Sequence, residues 1–286
     1  MRTAASMSGR RRGAAKRLLF PAALGLMVLG YLGRELSLEG GEPTLVDVTR
    51  SEPWPGVELL RGHIRAGQVP RGELVALFVD PTRARVELRL TEGAPLESVR
   101  EDAWAVINAG YFTETGAPTG LLRSRGETQH PFVPRGGAAG SGVLALVEDE
   151  VRLWRRSKVD RARVESAELA LQAGPRIIEP DGTPGIRRSD GMRASRTVAG
   201  RDGRGRLALV VAYAGGAAAG RGPTLFEMQA LLGAEGLGAI DPELVLEAAL
   251  NLDGGPSTGI LLADPASLEL SPLNRPASAL WIGAPR

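Results

Sequence analysis

Asn251-Leu-Asp253-Gly254-Gly255-Pro256-Ser257-Thr258 sets an amide and an acid two residues apart at the end of an apolar run, ahead of two residues without side chains. A carboxylate at a strand end can serve as nucleophile or general base, and glycines beside it let a ligand approach the backbone. The competing reading is a hairpin, because Asp-Gly favours a type I′ turn. On a strand, Asn251 and Asp253 would share one face. Asn108 closes a second apolar run and is followed by Gly110, Tyr111 and Phe112. Its amide could hold a sugar hydroxyl or orient a carboxylate, and the aromatics could flank a ring; a turn asparagine with two core aromatics explains the same letters. Arg196-Thr197 could clamp an anionic oxygen and add a hydroxyl, although most arginines of an arginine-rich chain are simply solvated.

Other chemistries are excluded. Gly255-Pro-Ser257-Thr-Gly259 has the letters of a nucleophile elbow, but the following Gly259-Ile-Leu-Leu reads as a strand, and His63 and His130 are the only histidines and lie upstream. Two histidines and no cysteine make a zinc site improbable, and no EF-hand loop is present; no cofactor is expected, and an oxygen-only site for a hard cation stays open. Thr224-Leu-Phe-Glu227 is a capping box, which makes Glu227 structural rather than catalytic.

The elements that must carry these residues are mostly strands. Glu73–Asp80 and Ala84–Leu90 read as a hairpin turning at Pro81-Thr82-Arg83 with one solvated face. Ala94–Asp102 is a short helix candidate, Ala103–Asn108 a strand, and Gly142–Trp154 a hairpin turning at Glu148-Asp149-Glu150. Strands are expected over Gly205–Tyr213, Ala248–Asp253 and Ala279–Gly283, and a helix over Pro223–Gly233. The pattern is α+β, with mixed or mostly antiparallel sheets and few helices in a single compact domain. The glycine-rich stretches Gly136–Gly142 and Ala214–Gly222 fit no dinucleotide fingerprint and read as flexible surface loops.

The pI of about 9.4 suggests nucleic acid until the charges are placed. Arg2, Arg10, Arg11, Arg12, Lys16 and Arg17 occupy residues 1–17 without an acid; beyond them 29 bases face 33 acids. The basic character is terminal, and no nucleic-acid groove is implied. Residues 18–32 carry no charge. With the basic tail they match a secretory signal, short for a spanning helix and without an Ala-x-Ala cleavage site, so an uncleaved membrane anchor and an exported domain are expected. The domain plan is a basic cytoplasmic tail (1–17), an anchor or signal (18–32), a Gly/Pro linker (33–56) and one folded domain (57–284).

Read in order, Ile107–Phe112, Leu171-Gln-Ala-Gly-Pro175, Arg196–Gly200, Gly222-x-Thr224-Leu-x-Glu227, Leu250–Thr258 and Asn274–Ser278 resemble the phosphodiester glycosidase family. The chain departs from that pattern at Pro256, where a third glycine is usual, and at Ala194-Ser195, where His-Pro is common. The spacer before Asn251 is also longer. The resemblance implies an exported hydrolase cleaving the glycosidic bond of a sugar-1-phosphodiester in envelope or extracellular polysaccharide. Asp253 would be nucleophile or general base, oriented by Asn108 or Asn251. Arg196 and Thr197, with Arg275, would receive the phosphate. Tyr111, Phe112, Gly254, Gly255, Ser257 and Thr258 would contact the substrate. A phosphate monoester is a weak base, so one carboxylate with cationic stabilisation could suffice where ordinary glycosidases use two. The alternatives are a non-catalytic polysaccharide-binding protein, favoured by Pro256, and an envelope hydrolase of another bond.

Overall fold

Every strand pairing among the described residues is antiparallel. The computed structural model of the chain describes residues 41–214 and 222–285. A seven-stranded sheet runs in the order Pro43–Trp54, Val57–Ala66, Val69–Val79, Leu207–Tyr213, Arg196–Asp202, Leu246–Asn251, Arg176–Ile178. One five-stranded sheet is ordered Glu127–His130, Leu122–Ser124, Leu169–Ala173, Gly142–Val147, Glu150–Arg155. The other is ordered Leu268–Leu270, Ile260–Leu262, Ala103–Asn108, Ser278–Gly283, Arg85–Leu90. The α+β expectation holds at that level, as antiparallel sheets with few helices.

The period of two along strands explains how the sheets pack. In Val69–Val79, Val75, Leu77 and Val79 join a core shared with Ile107, Leu144 and Leu171 of the five-stranded sheets. Leu74, Ala76 and Phe78 point the other way, into a core closed by Met228, Leu231 and Leu232 of the helix Leu225–Leu232. The central strands of the seven-stranded sheet are therefore buried on both faces, which is why they read as continuous apolar runs.

That double burial corrects one expectation. Val69–Val79 and Arg85–Leu90 are not a hairpin with a solvated face: the first pairs with Val57–Ala66 and Leu207–Tyr213, the second with Ser278–Gly283 in another sheet. The expected linker also ends early, since Pro43–Trp54 is the first strand and pairs with Val57–Ala66. The hairpin at Gly142–Trp154 forms, with Glu148 and Asp149 at positive φ in its turn. Ala94–Asp102 shortens to a 3-10 turn at Leu96–Val99. The loop at Gly136 is tied down, because Arg156 donates to the carbonyls of Gly136, Gly137 and Gly140. The tail and the apolar segment expected over 1–32 lie outside the described residues, as does most of the loop after Ala214. Among the described residues no helix is long and apolar enough to cross a membrane.

Candidate active site

Three strand ends meet where the chain leaves the seven-stranded sheet. Leu246–Asn251 ends beside Arg196–Asp202, with Val198 opposite Asn251. Residues 252–259 then cross to the sheet that holds Ala103–Asn108. The crossing is held at each step: Leu252 N–H donates to Thr197 O (2.8 Å), Asp253 N–H to Ala109 O (3.1 Å) and Gly255 N–H to Ser195 O (2.7 Å), while Asn108 N–H donates to Gly259 O (3.2 Å). Asp253 is thereby fixed between two sheets by its backbone alone.

Asn108 is the side chain that locks this junction. It is fully buried. Its Nδ2 donates to Asp253 O (2.7 Å) and its Oδ1 accepts from Thr197 Oγ1 (2.8 Å) and Gly259 N–H (3.0 Å). The sequence expectation that Asn108 orients the carboxylate or meets a sugar is corrected here, for its amide is spent on the backbone under Asp253. Thr197 is corrected with it. Adjacent strand residues face opposite sides, so a buried hydroxyl committed to Asn108 cannot join Arg196 on a phosphate.

The Asp253 carboxylate is half-buried and accepts from Gly254 N–H (3.0 Å) and from the Ser257 hydroxyl. Burial raises its pKa above the ordinary aspartate value, and these two hydrogen bonds oppose that rise without cancelling it. Ser257 therefore orients the acid, where the sequence suggested that it would touch substrate. The Tyr111 hydroxyl donates to Gly174 O (2.7 Å) and accepts from Asn251 Nδ2 (2.6 Å). Burial pushes Tyr111 up to about 12, with the charge of Asp253 adding to the rise and that of Arg196 opposing it. The phenol stays protonated near neutral pH, a donor and not a base. Asn251 Nδ2 also donates to Leu252 O (2.7 Å), while its buried Oδ1 has no partner among the described residues. That orphaned acceptor is suited to a substrate hydroxyl.

Arg196 supplies the opposite charge. Its Nε donates to Pro223 O (3.1 Å) and its Nη2 to Met192 O. Its pKa is lowered, by burial first, while Asp190, Tyr111 and Glu227 act on it at longer range. No carboxylate forms an ion pair with it among the described residues. Arg193 differs: both amino groups hold Glu227, at 2.7 and 2.9 Å, and Glu227 closes the capping box with Thr224. That pairing had no local signal, since the two residues are 34 apart in the chain.

The remaining expectations divide. Gly254 has its N–H on Asp253, and a Cβ there would meet Ser195 O at 3.0 Å. Gly255 takes φ +59° with its N–H on Ser195. Both glycines serve the turn more than a ligand. Pro256 is the second residue of the 3-10 turn Gly255–Ser257, still within the first turn where no N–H is required, and its carbonyl accepts from Leu273 and Asn274 N–H. It therefore fits without loss. Arg275 is exposed and donates to Gly93 O (3.2 Å), and the backbone of Phe112 bridges to Pro118; among the described residues no hydrogen bond ties either to Asp253, Asn251 or Arg196. Gln172 and Gly174 had no role assigned from sequence. Gln172 holds Leu121, Val133 and Gly140 through its amide, and Gly174, at φ +153°, offers the carbonyl that Tyr111 uses.

A cleft of about 410 Å³ lies against the same turn, lined by Arg193, Ser195, Tyr213, Pro256, Thr258 and Leu273 among others. A larger one, about 650 Å³, lies at the other end of the strand Leu207–Tyr213, lined by Arg50, Glu58, Arg204 and Arg206. Its charges neutralise one another through Arg50–Glu58, Arg206–Glu58 and Arg204–Glu243 pairs, so size does not make it the site. Among the described residues no group of three or more His, Asp or Glu could hold a metal ion.

The sequence profile of the phosphodiester glycosidase family matches residues 101–282. Three crystal structures share the fold. A protein from Synechocystis is 17% identical with a TM-score of 0.52, over 83% of this chain and 64% of that one, so this chain spans under two thirds of its length. The catalytic domain of zebrafish N-acetylglucosamine-1-phosphodiester alpha-N-acetylglucosaminidase, auto-inhibited by its pro-peptide, is 15% identical with a TM-score of 0.54, over 85% and 83%. A Burkholderia pseudomallei protein regarded as exported is 13% identical with a TM-score of 0.50, over 76% and 75%. No curated protein matches in sequence.

Proposed function

The chain belongs to the phosphodiester glycosidase family, and from that premise we propose that it hydrolyses the glycosidic bond of a sugar-1-phosphodiester in envelope or extracellular polysaccharide. The observation that carries this is geometric: the turn bearing the half-buried Asp253 is bonded to the segment bearing Arg196, through Leu252 N–H to Thr197 O (2.8 Å) and Gly255 N–H to Ser195 O (2.7 Å), and Arg196 has no carboxylate partner among the described residues. Arg196 is suited to a phosphate because its guanidinium has given up water without gaining a carboxylate. Asp253, ionised, would take a proton from the attacking water or attack the anomeric carbon itself. The C1–O bond then breaks and the phosphate monoester leaves with the electron pair. Residues 18–32 of the sequence favour an exported, membrane-anchored enzyme.

Pro256 fits its 3-10 turn with its carbonyl paired, which supports the catalytic reading over a non-catalytic binding protein. Incubating the purified protein with a series of sugar-1-phosphodiesters and following free sugar tests the reading. Release of sugar with a phosphate monoester is expected. Turnover confined to other wall linkages, or none at all with a folded protein, would overturn it.

A further inference from the structure

The cleft of about 410 Å³ is lined by the turn that follows the acid. Ser257 turns its hydroxyl to Asp253, while its neighbours Gly255, Pro256 and Thr258 line the cleft. Arg193 and Ser195 line it too, and Arg196 follows them directly. A phosphodiester bound with its sugar at Asp253 and its phosphate at Arg196 has one substituent left to place, and this hollow is lined by the chain neighbours of both groups.

The chemistry of the walls restricts that substituent. Most of the polar tips along the cleft are already committed: Arg193 to Glu227, Tyr213 to Glu73 (2.8 Å) and Ser271 to Glu97 (2.5 Å), which leaves two hydroxyls, those of Ser195 and Thr258. Thr258 Oγ1 is buried and has no partner among the described residues, so the cleft offers little polar surface beyond one hydroxyl at Ser195. The rest of the contact surface is mainly apolar, formed by Ala194, Ala214, Pro256, Leu270 and Leu273. A sugar aglycone would lose hydration there with few partners to replace it. The rim is apolar as well. Of three large hydrophobic side chains left exposed among the described residues, Leu273 (84%) lines this cleft and Met192 (67%) adjoins Arg193. Leu273 is also held in place, its N–H donating to Pro256 O (2.8 Å).

We propose that the cleft is the aglycone subsite and that the aglycone is an apolar alcohol, which makes the substrate a glycosyl-1-phosphate ester of a long-chain alcohol. The inference rests on the glycosidase reading and names its substrate class. Water's oxygen bonds to the anomeric carbon, the C1–O bond to phosphate breaks, and the products are free sugar and an alkyl phosphate. The proton passes to Asp253 and then to solvent.

The test uses one sugar-1-phosphate esterified to methanol, butanol, octanol or a hexose 6-hydroxyl, below micelle-forming concentrations. Turnover is measured on the parent protein and binding on Asp253→Asn by calorimetry. The octyl ester is expected to exceed the methyl ester by about tenfold or more in kcat/KM and in affinity, with Leu273→Ser narrowing that ratio several-fold. Equal values along the series, or preference for the hexose ester, overturn the proposal. Binding that ranks octyl first without hydrolysis of any ester upholds the subsite and removes the glycosidase reading. Hydrolysis of all four at one rate does the reverse.

Discussion

Two acid–arginine sets draw their arginines from one short segment and are built in opposite ways. At Arg193 and Glu227 the charges are joined by two hydrogen bonds, Glu227 is 1% exposed, and the same carboxylate accepts from Thr224 N–H at the helix start. At Arg196 and Asp253 the charges are held apart, one on backbone carbonyls and the other on a backbone N–H and a serine. The first arrangement uses up its electrostatic attraction in folding. The second keeps both charges desolvated and uncompensated by each other, and burial shifts each pKa toward its neutral form. Three residues along one segment thus separate an arginine that holds the fold from one that can hold a ligand.

The sharpest way to break the comparison is to exchange the acids' fates. Asp253→Asn should keep the fold, since the backbone bonds of residue 253 persist, and lower kcat by on the order of a thousandfold, ~4 kcal/mol of barrier. Parent-like hydrolysis of a sugar-1-phosphodiester would remove Asp253 from the chemistry. Glu227→Ala should do the converse. It strands Arg193 and uncaps the helix Leu225–Leu232, at a cost of about 3–5 kcal/mol, read from urea unfolding. The folded fraction should retain kcat within a few-fold. Arg196→Lys comes next. It keeps the charge but loses the planar fork, and a drop of about tenfold to a hundredfold in kcat/KM is expected, carried mainly by KM. Unchanged KM would place the phosphate elsewhere.

What could be read from sequence were the local signals. Thr224 and Glu227 spell a capping box at the right spacing, and the box forms. Ala103–Asn108 forms as a strand with Asn108 at its end. The α+β class follows from many short runs joined by turns. Pairing across the chain was not readable: Pro81-Thr82-Arg83 looks like a hairpin turn, yet it joins two sheets, and only the unbroken apolar run of Leu74–Val79 hinted at burial on both faces. Thr197 beside Arg196 was misjudged against a rule available from sequence, that strand neighbours face apart. Asn108 is different in kind. Its residue type pointed to hydrogen bonding, but its partners at Thr197, Asp253 and Gly259 come from segments 89 to 151 residues away.

The smallest effect separates the two sets by pH. Asp253 has a raised pKa in the folded protein, so folding favours its protonated form. That contribution is fully present below the unfolded-state pKa and is lost as pH rises through the folded-state pKa, leaving a charged, desolvated carboxylate at neutral pH. Asp253→Asn carries no such charge. It should melt at a slightly higher temperature than the parent at pH 7, and the gap should close as the pH falls through the folded-state pKa. Catalysis runs the other way, because the acting form is the carboxylate: the acidic limb of kcat/KM should lie above the ordinary aspartate range, and activity should fall where stability recovers. A melting gap independent of pH would mean that the substitution acts through packing or through the Ser257 bond, and that the buried charge at Asp253 is not what distinguishes it from Glu227.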